Sequence, residues 1–307
     1  MVPENVTLLD GALGATVHPA AEDVAASGIA IIYLHGGGFL YGERDDLPEA
    51  YIRQITGTGH ALVALDYPLA PECPLPRIVD VAEAAVGEVA DRLFPVLGCS
   101  RYALFGRSAG GYLALMVAAR LARRGAMRPF AIWDFYGYYD LRESFVASVS
   151  PHYAAMPPVS RELADRLAGA PGSSPAEGPY VTAGPKATRF GLYVHARQTG
   201  RWPELLGVDL DDLDALSLTA VDIAALPPLF ITASTGDEDV PLGVSKRLAR
   251  TAPRARMHQV YYLEHDFDRD TTNPAGVRAY AAALAFLDEI VHDDESAPPP
   301  RPHDSPA

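Results

Sequence analysis

The stretch Phe105-Gly106-Arg107-Ser108-Ala109-Gly110-Gly111 constrains the fold of this 307-residue chain more than any other. A β-prone run, Arg101–Phe105, leads into it, and an apolar helical run, Tyr112–Ala119, leads out. A bare G-x-S-x-G is a weak signal, arising by chance in roughly one chain in ten of this length at ordinary Gly and Ser usage. Between a strand and a helix it reads as a sharp turn that exposes the serine. Gly106 and Gly110 give that turn room and permissive dihedrals. The hydroxyl of Ser108 then stands at the carboxyl end of a strand and the N-terminus of a helix, where free N–H groups and the helix dipole favour negative charge.

The rest of the chain supplies a matching frame. Residues 5–17 alternate weakly and read as an edge strand or hairpin. Gly28–Leu34 and Ala61–Leu65 are continuous β-prone runs, the type expected of strands buried on both faces. The first runs into His35-Gly36-Gly37-Gly38-Phe39, the second into the proline-rich segment Asp66–Pro76, where regular structure is not expected. Residues 77–93 carry Ile78, Val81, Ala82, Ala85, Val86 and Val89 on one helical face. Pro129–Trp133, Pro228–Ala233 and Met257–Leu263 are further strands, and helices are expected near 242–251 and 275–291. Strands alternating with helices imply a mainly parallel central sheet with helices on both faces, an α/β fold. Residues 140–220, rich in Pro, Gly and Ser and carrying an acidic run at Asp209–Asp214, break the pattern over too many residues for a plain loop. They are expected to form an inserted, mostly helical cap. The expectation is one domain over 1–292, its core at about 1–139 and 221–292, with a disordered acidic and proline-rich tail from 293 to 307.

Composition narrows the partners. Lys plus Arg number 25 against 39 Asp plus Glu, a formal charge of −14, which argues against nucleic acid or an anionic membrane. No apolar run is long enough to span a bilayer. The opening Met1-Val2-Pro3-Glu4-Asn5 lacks a basic segment followed by an apolar one, so a cytoplasmic protein without a signal peptide is expected. Cys73 and Cys99, unclustered, point to neither a disulfide framework nor a structural zinc site. No metal or organic cofactor is called for. A homodimer is left open.

His35, Ser108, Asp237 and His265 all fall just past the ends of expected strands, where ligands of parallel sheets bind. A serine hydroxyl needs a base within hydrogen-bond reach, and a histidine can take its proton and return it to a leaving group. Of the nine histidines, His265 follows the last strand. His258 lies inside that strand, His292 lies beside the tail, and His35 belongs to the glycine loop. A carboxylate on the far imidazole nitrogen fixes the tautomer. Thr235–Pro241 offers Asp237, Glu238 and Asp239. Asp237 is preferred, and Asp239 is assigned to capping the 242–251 helix. Gly37 and Gly38, with the N–H of Ala109, are candidate donors to a developing oxyanion.

Three motifs in order carry a family resemblance: the HGGGF loop at His35–Phe39, a segment similar to D-Y-R-L-A-P-E-x-P-F-P at Asp66–Pro76 with Pro68 and Leu75 as departures, and an elbow similar to G-D-S-A-G-G at Gly106–Gly111. The chain thereby resembles the α/β-hydrolase superfamily, and within it the hormone-sensitive-lipase-like esterases. The resemblance implies an α/β-hydrolase fold, a Ser–Asp–His triad in the order Ser108, Asp237, His265, and hydrolysis of small or medium carboxylic esters through an acyl-enzyme. A peptide, thioester or lactone as substrate, or a non-catalytic binding protein on the same fold, are the competing expectations. Arg107 stands where the family has an acid. It is expected in an internal ion pair with Glu72 or another acid of the proline-rich loop, or else facing the pocket to select anionic substrates.

Overall fold

The computed structural model describes residues 3–168 and 180–296. Eight strands form one sheet in the order β1-β2-β4-β3-β5-β6-β7-β8. They are β1 (Glu4–Leu8), β2 (Leu13–His18), β3 (Ile29–Leu34), β4 (Ala61–Leu65), β5 (Arg101–Arg107), β6 (Ala131–Phe135), β7 (Leu229–Ser234) and β8 (Ala255–Val260). Among them β2 alone runs opposite to the rest, pairing antiparallel with β1 and β4. The hairpin expected at the edge is therefore β1–β2.

The helices are α1 (Glu49–Thr56), α2 (Leu75–Glu88), α3 (Phe94–Leu97), α4 (Ala109–Arg124), α5 (Ser144–Ala147), α6 (Pro151–Ala154), α7 (Arg161–Ala168), α8 (Lys186–Thr199), α9 (Trp202–Leu205), α10 (Ala220–Ala224), α11 (Leu242–Thr251) and α12 (Pro274–Ser296). Strand periodicity sorts them into two layers, because successive side chains point to opposite faces. Ala30, Ile32 and Leu34 of β3 face one core with α2, α4 and α11. Ile29, Ile31 and Tyr33 face the other, with α1 and α12. No residue of β3 is more than 2% exposed, which explains its uninterrupted apolar run. Among the described residues, no helix is long and apolar enough to cross a membrane.

Several boundaries differ from the expectation, each for a local reason. Helix α2 begins inside the proline-rich segment, at Leu75, because a proline in the first turn forfeits no intrahelical bond. It gives way at Val89–Leu93 to a wider π turn and then α3. Strand β8 stops at Val260, since the chain turns at Tyr262 (φ 61°) and Ser234 Oγ takes the Leu263 N–H instead. Helix α1 has no counterpart among the expected elements. The acidic stretch Asp293–Ser296, expected in the tail, is the last turn of α12; Arg101 and Arg254 pair with Asp294 and Asp293 and offset their charge. Residues 297–307 of the expected tail lie outside the described residues.

Candidate active site

The carboxyl ends of β3, β5, β7 and β8 bring the expected site residues to one place. β5 ends at Arg107, and Ser108 enters α4 with φ 53° and ψ −117°, a left-handed conformation that non-glycine residues seldom adopt. Such strain persists only where the surroundings enforce it. Here the Ser108 N–H donates to Phe135 O of the neighbouring strand at 2.8 Å, while its carbonyl accepts from Gly111 and Tyr112. A Cβ on Gly106 would overlap the Gly110 carbonyl, so the crossing of strand and helix depends on glycine.

His265 Nε2 lies 2.8 Å from Ser108 Oγ, and its Nδ1 lies 2.7 Å from Asp237 Oδ2. A carboxylate can only accept, so Nδ1 carries the proton and Nε2 is free to take one from the hydroxyl. The other oxygen of Asp237 accepts the N–H groups of Asp239 and Val240, both at 2.9 Å, which fixes the carboxylate in its turn. Burial alone would lower the imidazole pKa of His265. The adjacent Asp237, through its charge and hydrogen bond, together with Asp239 and Asp266, reverses this and raises it to about 9.

Facing this chain is the glycine loop. A peptide N–H points opposite the carbonyl of the same plane, so anchoring one aims the other. Gly36 O accepts from His35 Nδ1 at 2.7 Å, which orients the N–H of Gly37. Gly37 O accepts from Leu40 and Tyr41, at 3.0 and 3.1 Å, which orients the N–H of Gly38. Among the described residues, neither N–H has an intramolecular acceptor. Gly37 has φ 111°, and a Cβ there would overlap the Tyr41 carbonyl. The loop and the hydrogen-bonded chain share a cavity of about 280 Å³, walled by Tyr41 and, from the inserted segment, by Tyr153, Met156, Phe190 and Tyr193. A base-linked hydroxyl beside free N–H donors can attack a carbonyl and hold the resulting oxyanion.

The same architecture is found in a solved structure, an alpha/beta hydrolase superfamily protein from Enterococcus faecalis. It is 30% identical and superposes with a TM-score of 0.79 over 94% of this chain and 99% of that one. The chain belongs to the α/β-hydrolase superfamily. A family model described as alpha/beta hydrolase fold matches residues 31–183. Similar curated relatives are Esterase LipI of Mycobacterium tuberculosis, 32% identical over 135 residues covering 40% of this chain and 42% of that protein, and human hormone-sensitive lipase, 33% identical over 121 residues covering 38% and 11%. The chain thus spans less than half the length of these curated relatives.

Two features of this α/β hydrolase differ from expectation. Asp239 caps no helix; Pro241 stands at the N-cap of α11. Its buried carboxylate instead accepts from Tyr153 and Tyr193 and pairs with Arg197, all in the inserted segment. A carboxylate taken out of water needs such donors around it, and the inserted segment supplies them. Arg107 pairs with neither Glu72 nor any other acid of the proline-rich loop. It meets Asp268 at 3.1 Å and Asp46 at 3.6 Å and donates to Tyr136 and Tyr33, while Glu72 is taken by Arg189. Asp268 follows His265 by three residues, and Tyr136 packs edge-on to the His265 ring, 4.8 Å between centroids. Arg107, 3% exposed, therefore braces the histidine loop from beneath. That it needed a buried acid was readable from its place in the turn. Which acid was not, since Asp268 is 161 residues away.

Proposed function

We propose that this chain is a serine carboxylesterase acting on small carboxylic esters through an acyl-enzyme. The observation that carries the reading is the hydrogen-bonded chain from Ser108 Oγ through His265 to Asp237. In this mechanism Ser108 Oγ attacks the ester carbonyl carbon as His265 Nε2 takes its proton. Asp237 holds the tautomer and stabilises the imidazolium. The carbonyl oxygen becomes an oxyanion against the N–H groups of Gly37, Gly38 and Ala109. Collapse expels the alcohol, protonated by His265, and leaves an ester of Ser108. Water, deprotonated by the same imidazole, then releases the acid. The names of the relatives, an esterase and a lipase, support this chemistry. The cavity, about 280 Å³, is at the low end for ligand sites and supports short acyl chains.

The test is a panel of p-nitrophenyl esters from acetate to decanoate, with aminoacyl anilides alongside. Turnover should peak at acetate to butyrate and be negligible on anilides. Ser108→Ala should retain the fold and lose both turnover and covalent labelling by a fluorophosphonate. Near-normal turnover by that variant would reject Ser108 as nucleophile, and faster cleavage of anilides than of esters would hand the site to peptide chemistry.

A further inference from the structure

We propose that Tyr193, in the inserted segment, is a positioning residue for the reaction, joining the glycine loop to the acid turn so that both keep their places around Ser108. The proposal rests on the esterase reading above. Donors to an oxyanion must be held to within about 0.5 Å. Yet Gly36–Gly38 have no side chains of their own to hold them, and glycine has the most freedom to lose. Hydrogen bonds from His35, Leu40 and Tyr41 aim the loop's N–H groups, and side chains from outside the loop fix where it stands. Two contacts from the inserted segment do this at Gly38. The Tyr193 ring lies directly on its Cα, where any Cβ would overlap ring carbons. The indole Nε1 of Trp202, buried, donates to Gly38 O at 3.0 Å. Tyr193 and Trp202 meet edge-on, 5.7 Å between centroids.

The other end of Tyr193 reaches the acid turn. Its hydroxyl donates to Asp239 Oδ2 at 2.8 Å. The Asp239 N–H in turn donates to Asp237 Oδ1 at 2.9 Å. Two side chains, Tyr193 and Asp239, and one backbone N–H thus connect Gly38 to the carboxylate that orients His265. Arg197, one turn further along α8, pairs with Asp239 and stacks on Trp202, which closes the group. The inserted segment is then part of what assembles the site as well as a wall of its pocket.

The experiment compares Tyr193→Phe and Trp202→Phe with wild type on p-nitrophenyl acetate, with active sites counted by fluorophosphonate labelling so that misfolded protein is excluded. Tyr193→Phe keeps the ring and removes one hydrogen bond; Trp202→Phe keeps an aromatic ring but removes the indole N–H and part of the buried volume. Turnover per labelled site should fall about tenfold in each, with KM within about twofold, as for a small misplacement of reacting groups. Affinity for benzeneboronic acid, which forms a tetrahedral adduct on a serine oxygen, should fall in parallel. Wild-type turnover per labelled site and wild-type boronate affinity in Tyr193→Phe, whatever the yield of labelled protein and whatever Trp202→Phe does, would overturn the proposal. A wild-type protein that neither labels nor cleaves esters would overturn the esterase reading and this inference with it, and that result appears before any variant is made.

Discussion

The charge of Arg107 is directed inward. Asp268, fully buried, accepts from its guanidinium and from the hydroxyls of Tyr136 and Tyr280. Removing the cation strands that carboxylate, which typically costs about 3–5 kcal/mol. Arg107→Met should therefore lower stability in urea titrations and slow neutral and anionic esters alike; a selective loss on anionic esters would instead place the side chain at the substrate. The two acids of the turn should separate as well. Asp237→Asn should cost about 10⁴ in kcat by freeing the wrong tautomer. Asp239→Asn keeps the backbone N–H that meets Asp237, so it should lose more stability and far less rate. The imidazole of His265 sets a pH dependence. It works as a base only when neutral, and its pKa is raised to about 9, so kcat/KM of the free enzyme should climb with pH through that value rather than through about 6.5. The linkage has the opposite sign for stability: the bound proton stabilises the fold fully below about 6.5, and that contribution is lost as pH rises through about 9.

At the scale of elements, α8 ties the inserted segment to the sheet. Its Arg189, fully buried, donates to the carbonyls of Leu40 and Ala70 and pairs with Glu72 through its two terminal nitrogens, Nη1 and Nη2, each at 2.9 Å. Those carbonyls belong to the two segments that follow β3 and β4. Arg189→Met leaves them without donors, at roughly 1–3 kcal/mol for each unsatisfied group. The expected outcome is a lower urea midpoint together with slower ester turnover, because the glycine loop loses an anchor; an unchanged midpoint would show that water replaces the guanidinium freely. Strands buried on both faces announced themselves as apolar runs. Strand β8 lies at the sheet edge with mostly half-exposed side chains, so its end was set by the turn at Tyr262 and not by hydropathy.

Across the whole molecule, the two cores leave one carboxyl in the sheet interior. Asp134 of β6 is fully buried, and burial raises its pKa to about 7 against the hydrogen bond from the Gly137 N–H. An acid held protonated by folding makes the folded state bind more protons than the unfolded one. Its contribution is fullest below the ordinary carboxylate value of about 3.9 and declines as pH rises to about 7. Asp134→Asn, which cannot ionise, should flatten the fall in urea stability over that interval; an unchanged slope would mean that Asp134 does not titrate there.

The succession of strands, the sharp turn at Ser108, the glycine loop and the position of His265 and Asp237 just past strand ends could be read from the chain itself. Each rests on a pattern that is local in sequence: a strand, a turn with glycine where side chains do not fit, and a polar residue just past a strand end. Tertiary structure decided the rest. Arg107 finds Asp268, Asp239 finds Tyr153, Tyr193 and Arg197, and Gly38 is met by Trp202 from 164 residues away. A buried charge or an unheld loop states that a partner is required. Which side chain meets that requirement depends on how the inserted segment packs over the sheet, and no spacing in the sequence encodes that distance.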